Sequence, residues 1–177
     1  MVPLCQRKLL GGYEMPTKER QKIYWESCCW LSYINGIEER YPILDALLAD
    51  STSNNGIITI YTSSLSQVEV AFGQIEQDNH ALDPNIEEAI DQLWANRDTV
   101  KLIDYYEGIG KEARLLMRAS ISRGFKLRPF DAIHLATAKS MRTIEEFHTY
   151  DEKLFKYSDD VGFLITQPHT LKPKLLP

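Results

Sequence analysis

The chain has 177 residues, 44% of them hydrophobic and 25% charged, with a formal net charge of −5. That length supports one well-formed core and is short for two domains, and the composition is that of an ordinary globular chain. The acidic balance excludes a protein that coats nucleic acid by bulk positive charge, no apolar run approaches a membrane span, and the N-terminus lacks the apolar core of a secretory signal.

The three cysteines, Cys5, Cys28 and Cys29, are odd in number and show no zinc-type spacing. Cys28 and Cys29 lie in an apolar stretch and are expected as small buried hydrophobes. A reducing cytoplasm is the simplest compartment for them.

Residues 1–20 are polar and carry Gly11, Gly12 and Pro16, so they are expected to form an N-terminal extension, with the domain proper running over 21–168 and a C-terminal tail over 169–177. Residues 22–25 are a short β-prone run. Residues 27–34 follow as a helix, which Asn35 and Gly36 stop. Residues 38–48 have helical spacing, with Ile43, Leu44, Leu47 and Leu48 on one face. A polar loop over 51–56 leads into residues 57–61, too apolar for a half-exposed strand and suited to a parallel sheet covered on both faces.

Ser63 or Ser64 is expected to cap a helix carrying Glu69 and running to about Glu76. Asp83 and Pro84 open another helix through Leu93 and Trp94. Residues 100–104 read as a third strand. An amphipathic helix over 109–122 follows, ended by Gly124. Pro129 begins a helix through Ala138, and residues 146–149 form a short fourth strand leading to a helical turn from Asp151. Residues 163–166 suit an edge strand. Strands alternating with helices, without internal repeats, predict an α/β fold: a three-layer α/β/α sandwich with a mainly parallel central sheet.

In such sheets the reactive crevice lies at the carboxyl ends of the strands. Four acids are set for that rim. Glu26 and Asp151 follow strands directly, Glu69 lies on the helix after the second strand, and Asp131 stands near the start of its helix. Carboxylates gathered in one place raise one another's pKa, and clusters of this kind commonly hold a hard cation such as Mg²⁺ or Mn²⁺. Taken singly, Asp131 also suits charge compensation at a helix N-terminus, Asp151 suits an N-cap, and Glu69 suits a solvated helix face.

Around these four, Ser27 and Thr149 are placed either to orient a carboxylate or water, or to make a cap or strand-end hydrogen bond. His134, three residues after Asp131, is either a general base or a packed, hydrogen-bonded ring, and His148 is expected to be structural. Lys126 and Arg128 are candidates for RNA phosphate contacts or for an ordinary solvated loop. Trp25, Trp30 and Trp94 are expected in the core rather than stacked on bases. The segment from Gly108 to Ala113 has the form G-x-G-x-x-A after a strand, but the next strand of a dinucleotide fold is missing. Neither a Walker-type phosphate loop nor a Gly-x-Ser-x-Gly elbow is present.

The quoted motifs resemble the PIN-domain ribonuclease family, whose bacterial members include VapC-type toxins. The resemblance rests on Tyr24-Trp25-Glu26-Ser27, on Ser64 with Glu69 five residues later, on the Asp-Ala-x-His-Leu-Ala-x-Ala run from Asp131 to Ala138, and on Thr149-x-Asp151-x-x-Leu154. It covers residues 22–165. It implies a metal-dependent endoribonuclease hydrolysing RNA, with Glu26, Asp131 and Asp151 holding Mg²⁺ or Mn²⁺ and Glu69 completing the ring. It also implies a homodimer and a cognate antitoxin partner. Where the family normally carries Asp this chain has Glu26. The longer arm moves the carboxylate oxygens, and Mg²⁺ demands near-octahedral geometry. A second expectation is therefore a catalytically weakened module that acts by binding RNA or a protein.

Overall fold

The computed structural model describes residues 20–171, so most of the predicted N-terminal extension and residues 172–177 of the predicted tail lie outside the described residues. Five strands form one sheet: β1 (Gln21–Trp25), β2 (Ile58–Ser63), β3 (Val100–Ile103), β4 (Glu146–His148) and β5 (Leu164–Thr166). Their order is β3-β2-β1-β4-β5, and all the pairings are parallel. The order reverses beside β1, between its pairings with β2 and β4. This is the place where an open parallel sheet leaves a crevice at its carboxyl edge.

Alternation along β1 sends its side chains into two cores. Ile23 and Trp25 face a core made with α1 (Ser27–Ile34), α2 (Tyr41–Thr52) and α5 (Pro84–Ala95). Tyr24 faces a core made with α6 (Glu107–Ser122), α7 (Pro129–Ser140), α8 (Ser158–Val161) and the 3₁₀ turn Glu152–Tyr157. The result is the predicted α/β/α sandwich. As expected, the three tryptophans are core residues. Trp30 lies between Trp25 and Trp94 at ring centroid distances of 4.6 and 5.7 Å.

Helix limits differ from the expected ones where polar side chains act on the backbone. α2 starts at Tyr41 rather than residue 38, with Pro42 in its first turn, where a missing N–H costs nothing. It continues to Thr52 because the hydroxyls of Ser51 and Thr52 bond back to the Leu48 carbonyl. The helix expected from Ser63 or Ser64 to Glu76 is two short ones, α3 (Ser66–Glu69) and α4 (Gln74–Asn79). Neither serine caps α3; its N-cap is Leu65. Gly73 is extended and starts α4, and the Glu76 carboxylate accepts from the Gly73 and Asp83 N–H groups to fix the corner.

Gly108 and Gly110 lie in the first turn of α6. A Cβ at either position would stand 2.5 Å from the Tyr106 ring or 2.3 Å from the Tyr105 hydroxyl. Close approach of those tyrosines accounts for the glycines of the G-x-G-x-x-A segment. Gly36, at φ 58°, ends the turn after α1 in the left-handed region that favours glycine. No helix among the described residues is long and apolar enough to cross a membrane.

Candidate active site

The site is built at the crevice from the strand ends outward. Glu26 follows β1 with extended backbone, as the N-cap of α1, and its N–H donates to the carbonyl of His148 at the end of β4, 3.1 Å away. That bond sets Glu26 beside Thr149. The Thr149 hydroxyl donates to Glu26 Oε2 at 2.6 Å, and the Cys28 thiol donates to the same oxygen at 2.8 Å. Glu26 is buried. Burial raises its carboxyl from the ordinary 4.5 to about 8, the neighbouring Cys28 adds to the rise, and the Thr149 bond opposes it. Cys28 is thus not the small hydrophobe expected from its neighbours. Successive residues on a helix point about 100° apart, so Cys29 enters the core while Cys28 faces the carboxylate.

Glu69, at the end of α3, is held by a relay through the core. The Ser63 N–H donates to the Tyr24 hydroxyl at 3.0 Å, which leaves that hydroxyl to donate to His134 Nδ1 at 2.7 Å. The second ring nitrogen, Nε2, then carries the proton and faces Glu69 Oε2 at 2.6 Å, where the Ser27 hydroxyl also donates at 2.6 Å. Burial opposes ionisation of Glu69. The bonds from His134 and Ser27, with the nearby charge of Arg128, outweigh it and hold the carboxyl below its usual range. His134 is therefore a packed, hydrogen-bonded ring, and it orients one of the four acids. Ser27 orients the same carboxylate and Thr149 orients Glu26.

Asp131 sits in the first turn of α7, and Asp151 is the N-cap of the 3₁₀ turn, accepting from the Lys153 N–H at 3.0 Å. Arg128 spans the two. Its Nε and Nη2 reach Asp131 at 2.7 and 3.1 Å, and Nη2 reaches Asp151 at 2.9 Å. Its charge also acts at longer range on Glu26 and Glu69. Two of the four acids, Asp131 and Asp151, thus share one cation supplied by the chain. Arg128, read from the sequence as a candidate RNA phosphate contact or a solvated loop residue, bonds Asp131 and Asp151 while its side chain stays largely exposed.

The candidate donors are all carboxylate oxygens, and Arg128 already neutralises Asp131 and Asp151. Carboxylate oxygens of this kind suit a hard divalent ion such as Mg²⁺ or Mn²⁺. Beside them, between α6 and the loop into α7, a groove of about 820 Å³ is lined by Arg114, Arg118, Lys126 and Arg128, with Met117 and Leu127 as part of its apolar wall. Lys126 stands where the sequence suggested a phosphate contact. Arg114 and Arg118 were not singled out, although their spacing of four on one helix puts them on one face.

A family model for the PIN domain matches residues 23–160. No curated protein matches the sequence. Among solved structures, the chain resembles that of VapBC2 from Rickettsia felis bound to a DNA fragment from its promoter, at 14% identity and a TM-score of 0.57, covering 83% of this chain and 98% of that one. Mycobacterium tuberculosis VapC20, described as a Sarcin-Ricin loop cleaving toxin, is also 14% identical with a TM-score of 0.57, covering 80% and 96%. FitAB bound to an IR36 DNA fragment is 19% identical with a TM-score of 0.54, covering 85% and 97%. The family match spans most of the chain and takes in all four acids of the crevice, so the chain belongs to the PIN domain family.

Proposed function

We propose that the protein is a metal-dependent endoribonuclease that hydrolyses RNA phosphodiester bonds as the toxin of a toxin–antitoxin pair. The observation that carries this reading is Arg128 bridging Asp131 and Asp151 at the crevice of a PIN-domain sheet, where Glu26 and Glu69 are also set by the strand ends. Glu26, Asp131 and Asp151 hold the ion, with Glu69 completing the ring. A bound Mg²⁺ or Mn²⁺ supplies charge neutralisation at the scissile phosphate and a water of lowered pKa. Thr149 keeps the Glu26 carboxylate aimed at the site, and His134 and Ser27 do the same for Glu69. Arg128 moves from the carboxylates to a phosphate oxygen, while Arg114, Arg118 and Lys126 line the path of the RNA backbone.

The VapBC2 and FitAB neighbours support a cognate antitoxin as partner, and the VapC20 neighbour supports RNA as substrate. Leu115 and Ile121 of α6 and Phe130 of α7 are exposed and offer apolar surface for a homodimer. The cytoplasm is the compartment in which such a pair acts.

Two observations favour a second reading, a catalytically weakened module that binds RNA or protein. Glu26 replaces the usual Asp and retains its proton to about pH 8, and Arg128 occupies Asp131 and Asp151. The deciding experiment is cleavage of a mixed RNA substrate by purified, partner-free protein in Mg²⁺, Mn²⁺ or EDTA, beside Asp131→Asn. Cleavage that requires metal and is lost in the variant establishes the nuclease. No cleavage by folded protein in either metal selects the second reading.

A further inference from the structure

A second cluster of metal-ligating side chains lies on β4. Glu146 and His148 are two residues apart on a strand, so both stand on one sheet face, beside Ile23 and Trp25, their register partners on β1. Phe147 between them enters the opposite core. After β5 the chain returns and brings His169 to the same place. Glu146 Oε2 is 3.0 Å from His148 Nε2 and 3.0 Å from His169 Nε2. The three donor atoms lie within 4.8 Å of one another.

Each ring turns its Nε2 toward Glu146, and His169 Nδ1 lies 3.3 Å from the Thr170 carbonyl. A neutral imidazole carries one N–H, so with that proton on Nδ1 each Nε2 is free to act as a ligand. His148 is fully buried, and its Nδ1 has no partner among the described residues.

We propose that Glu146, His148 and His169 bind a transition-metal ion of the Zn²⁺ class, at a site separate from the carboxylates of the crevice. Two imidazoles and one carboxylate suit Zn²⁺, Co²⁺ or Ni²⁺, whereas Mg²⁺ takes oxygen ligands. Bonds of about 2.0–2.2 Å in tetrahedral array set neighbouring donors roughly 3.3–3.5 Å apart; the two 3.0 Å separations open slightly to reach that value, and the two imidazole nitrogens, within 4.8 Å of one another, close toward it. Half-exposed His169 gives the ion an entry path and leaves a fourth position for water. The ion ties the segment after β5 to β4, whose last residue, His148, also accepts the Glu26 N–H.

The test uses the full chain without a histidine tag, stripped with chelator and titrated with Co²⁺ and then Zn²⁺. The expected result is one Co²⁺ per chain with the strong visible absorption of a tetrahedral site, displaced by Zn²⁺ and insensitive to millimolar Mg²⁺. His169→Ala, at a half-exposed position, weakens binding by more than about 10-fold, Glu146→Gln weakens it likewise, and Asp131→Asn leaves it unchanged. Zn²⁺ also protects the segment after β5 from limited proteolysis in the wild type but not in His169→Ala. Absence of the cobalt spectrum overturns the proposal and leaves the cluster as an ion pair. So does undiminished binding in His169→Ala, or loss of binding in Asp131→Asn, which would assign the ion to the crevice. None of these outcomes depends on RNA cleavage.

Discussion

Arg128 grips Asp131 at two points, Nε on Oδ2 at 2.7 Å and Nη2 on Oδ1 at 3.1 Å, from three residues before it. The aspartate is buried while the arginine is largely exposed, so the pair is a mobile cation laid on a fixed anion. A divalent ion entering the crevice competes with that guanidinium for the same oxygens.

Arg128→Met removes the competitor. Exposed ion pairs are worth about 0.2–1 kcal/mol, so Mg²⁺ or Mn²⁺ affinity measured by calorimetry rises by up to about fivefold, while RNA affinity falls. An unchanged metal affinity would show that Arg128 leaves the acids without cost.

The raised pKa of Glu26 sets a pH dependence of stability. With the folded value near 8 and the unfolded value near 4.5, the folded state binds the extra proton between them. Its contribution is complete below about pH 4.5 and is lost as pH rises toward 8. Thermal unfolding of metal-free protein across this range shows that decline, and Glu26→Gln, which cannot ionise, lacks it. Cys28, bonded to the same carboxylate and lowered from 9.0 to about 6, acts in the opposite direction within this window, so the two proteins are compared in a Cys28→Ala background. Glu69 and Glu146, whose pKa values are lowered, act in the opposite direction at more acidic pH.

Thr149→Val removes a donor from Glu26 Oε2 and an acceptor from the Asp151 N–H. The loss destabilises the fold by about 1–3 kcal/mol in denaturant titrations. Because the Thr149 bond lowers the Glu26 pKa, the rising limb of metal-dependent activity moves to higher pH. Thr149→Ser, which keeps the hydroxyl, restores both.

Tyr24→Phe keeps the ring in its stack on Phe147, 4.9 Å between centroids, and deletes only the hydroxyl that links Ser63 to His134. The buried groups left unpaired cost about 1–3 kcal/mol. His134 keeps its Nε2 proton toward Glu69 but loses the donor that fixes Nδ1. Nitrogen NMR of the ring reports the unpaired Nδ1, and turnover falls as Glu69 is held less firmly even where RNA binding is retained.

Much of this was legible from the sequence because burial leaves a periodic trace. The run of apolar residues in β2 announced a doubly covered strand, and strand-end placement located Glu26 and Asp151. Other features depend on partners far along the chain. The bearing of Arg128 is set partly by Asp151, 23 residues later, so from the sequence it resembled a loop cation. The corner between α3 and α4 turns on Glu76 accepting the Asp83 N–H, which no local propensity encodes. Cys28 and Cys29 looked alike because helical phase, rather than residue type, separates them. His169 fell in the predicted tail, yet it meets Glu146 and Leu171 packs against the core.

The order in which the strands assemble has a consequence for synthesis. β1 is made first but gains its second neighbour only when β4 appears, more than a hundred residues later. A growing chain that ends before Asp151 lacks one of the four acids and the Thr149 bond that aims another. On the ribosome the unfinished polypeptide is therefore chemically incomplete, and whatever reaction the crevice performs begins only after nearly all of the domain has been translated.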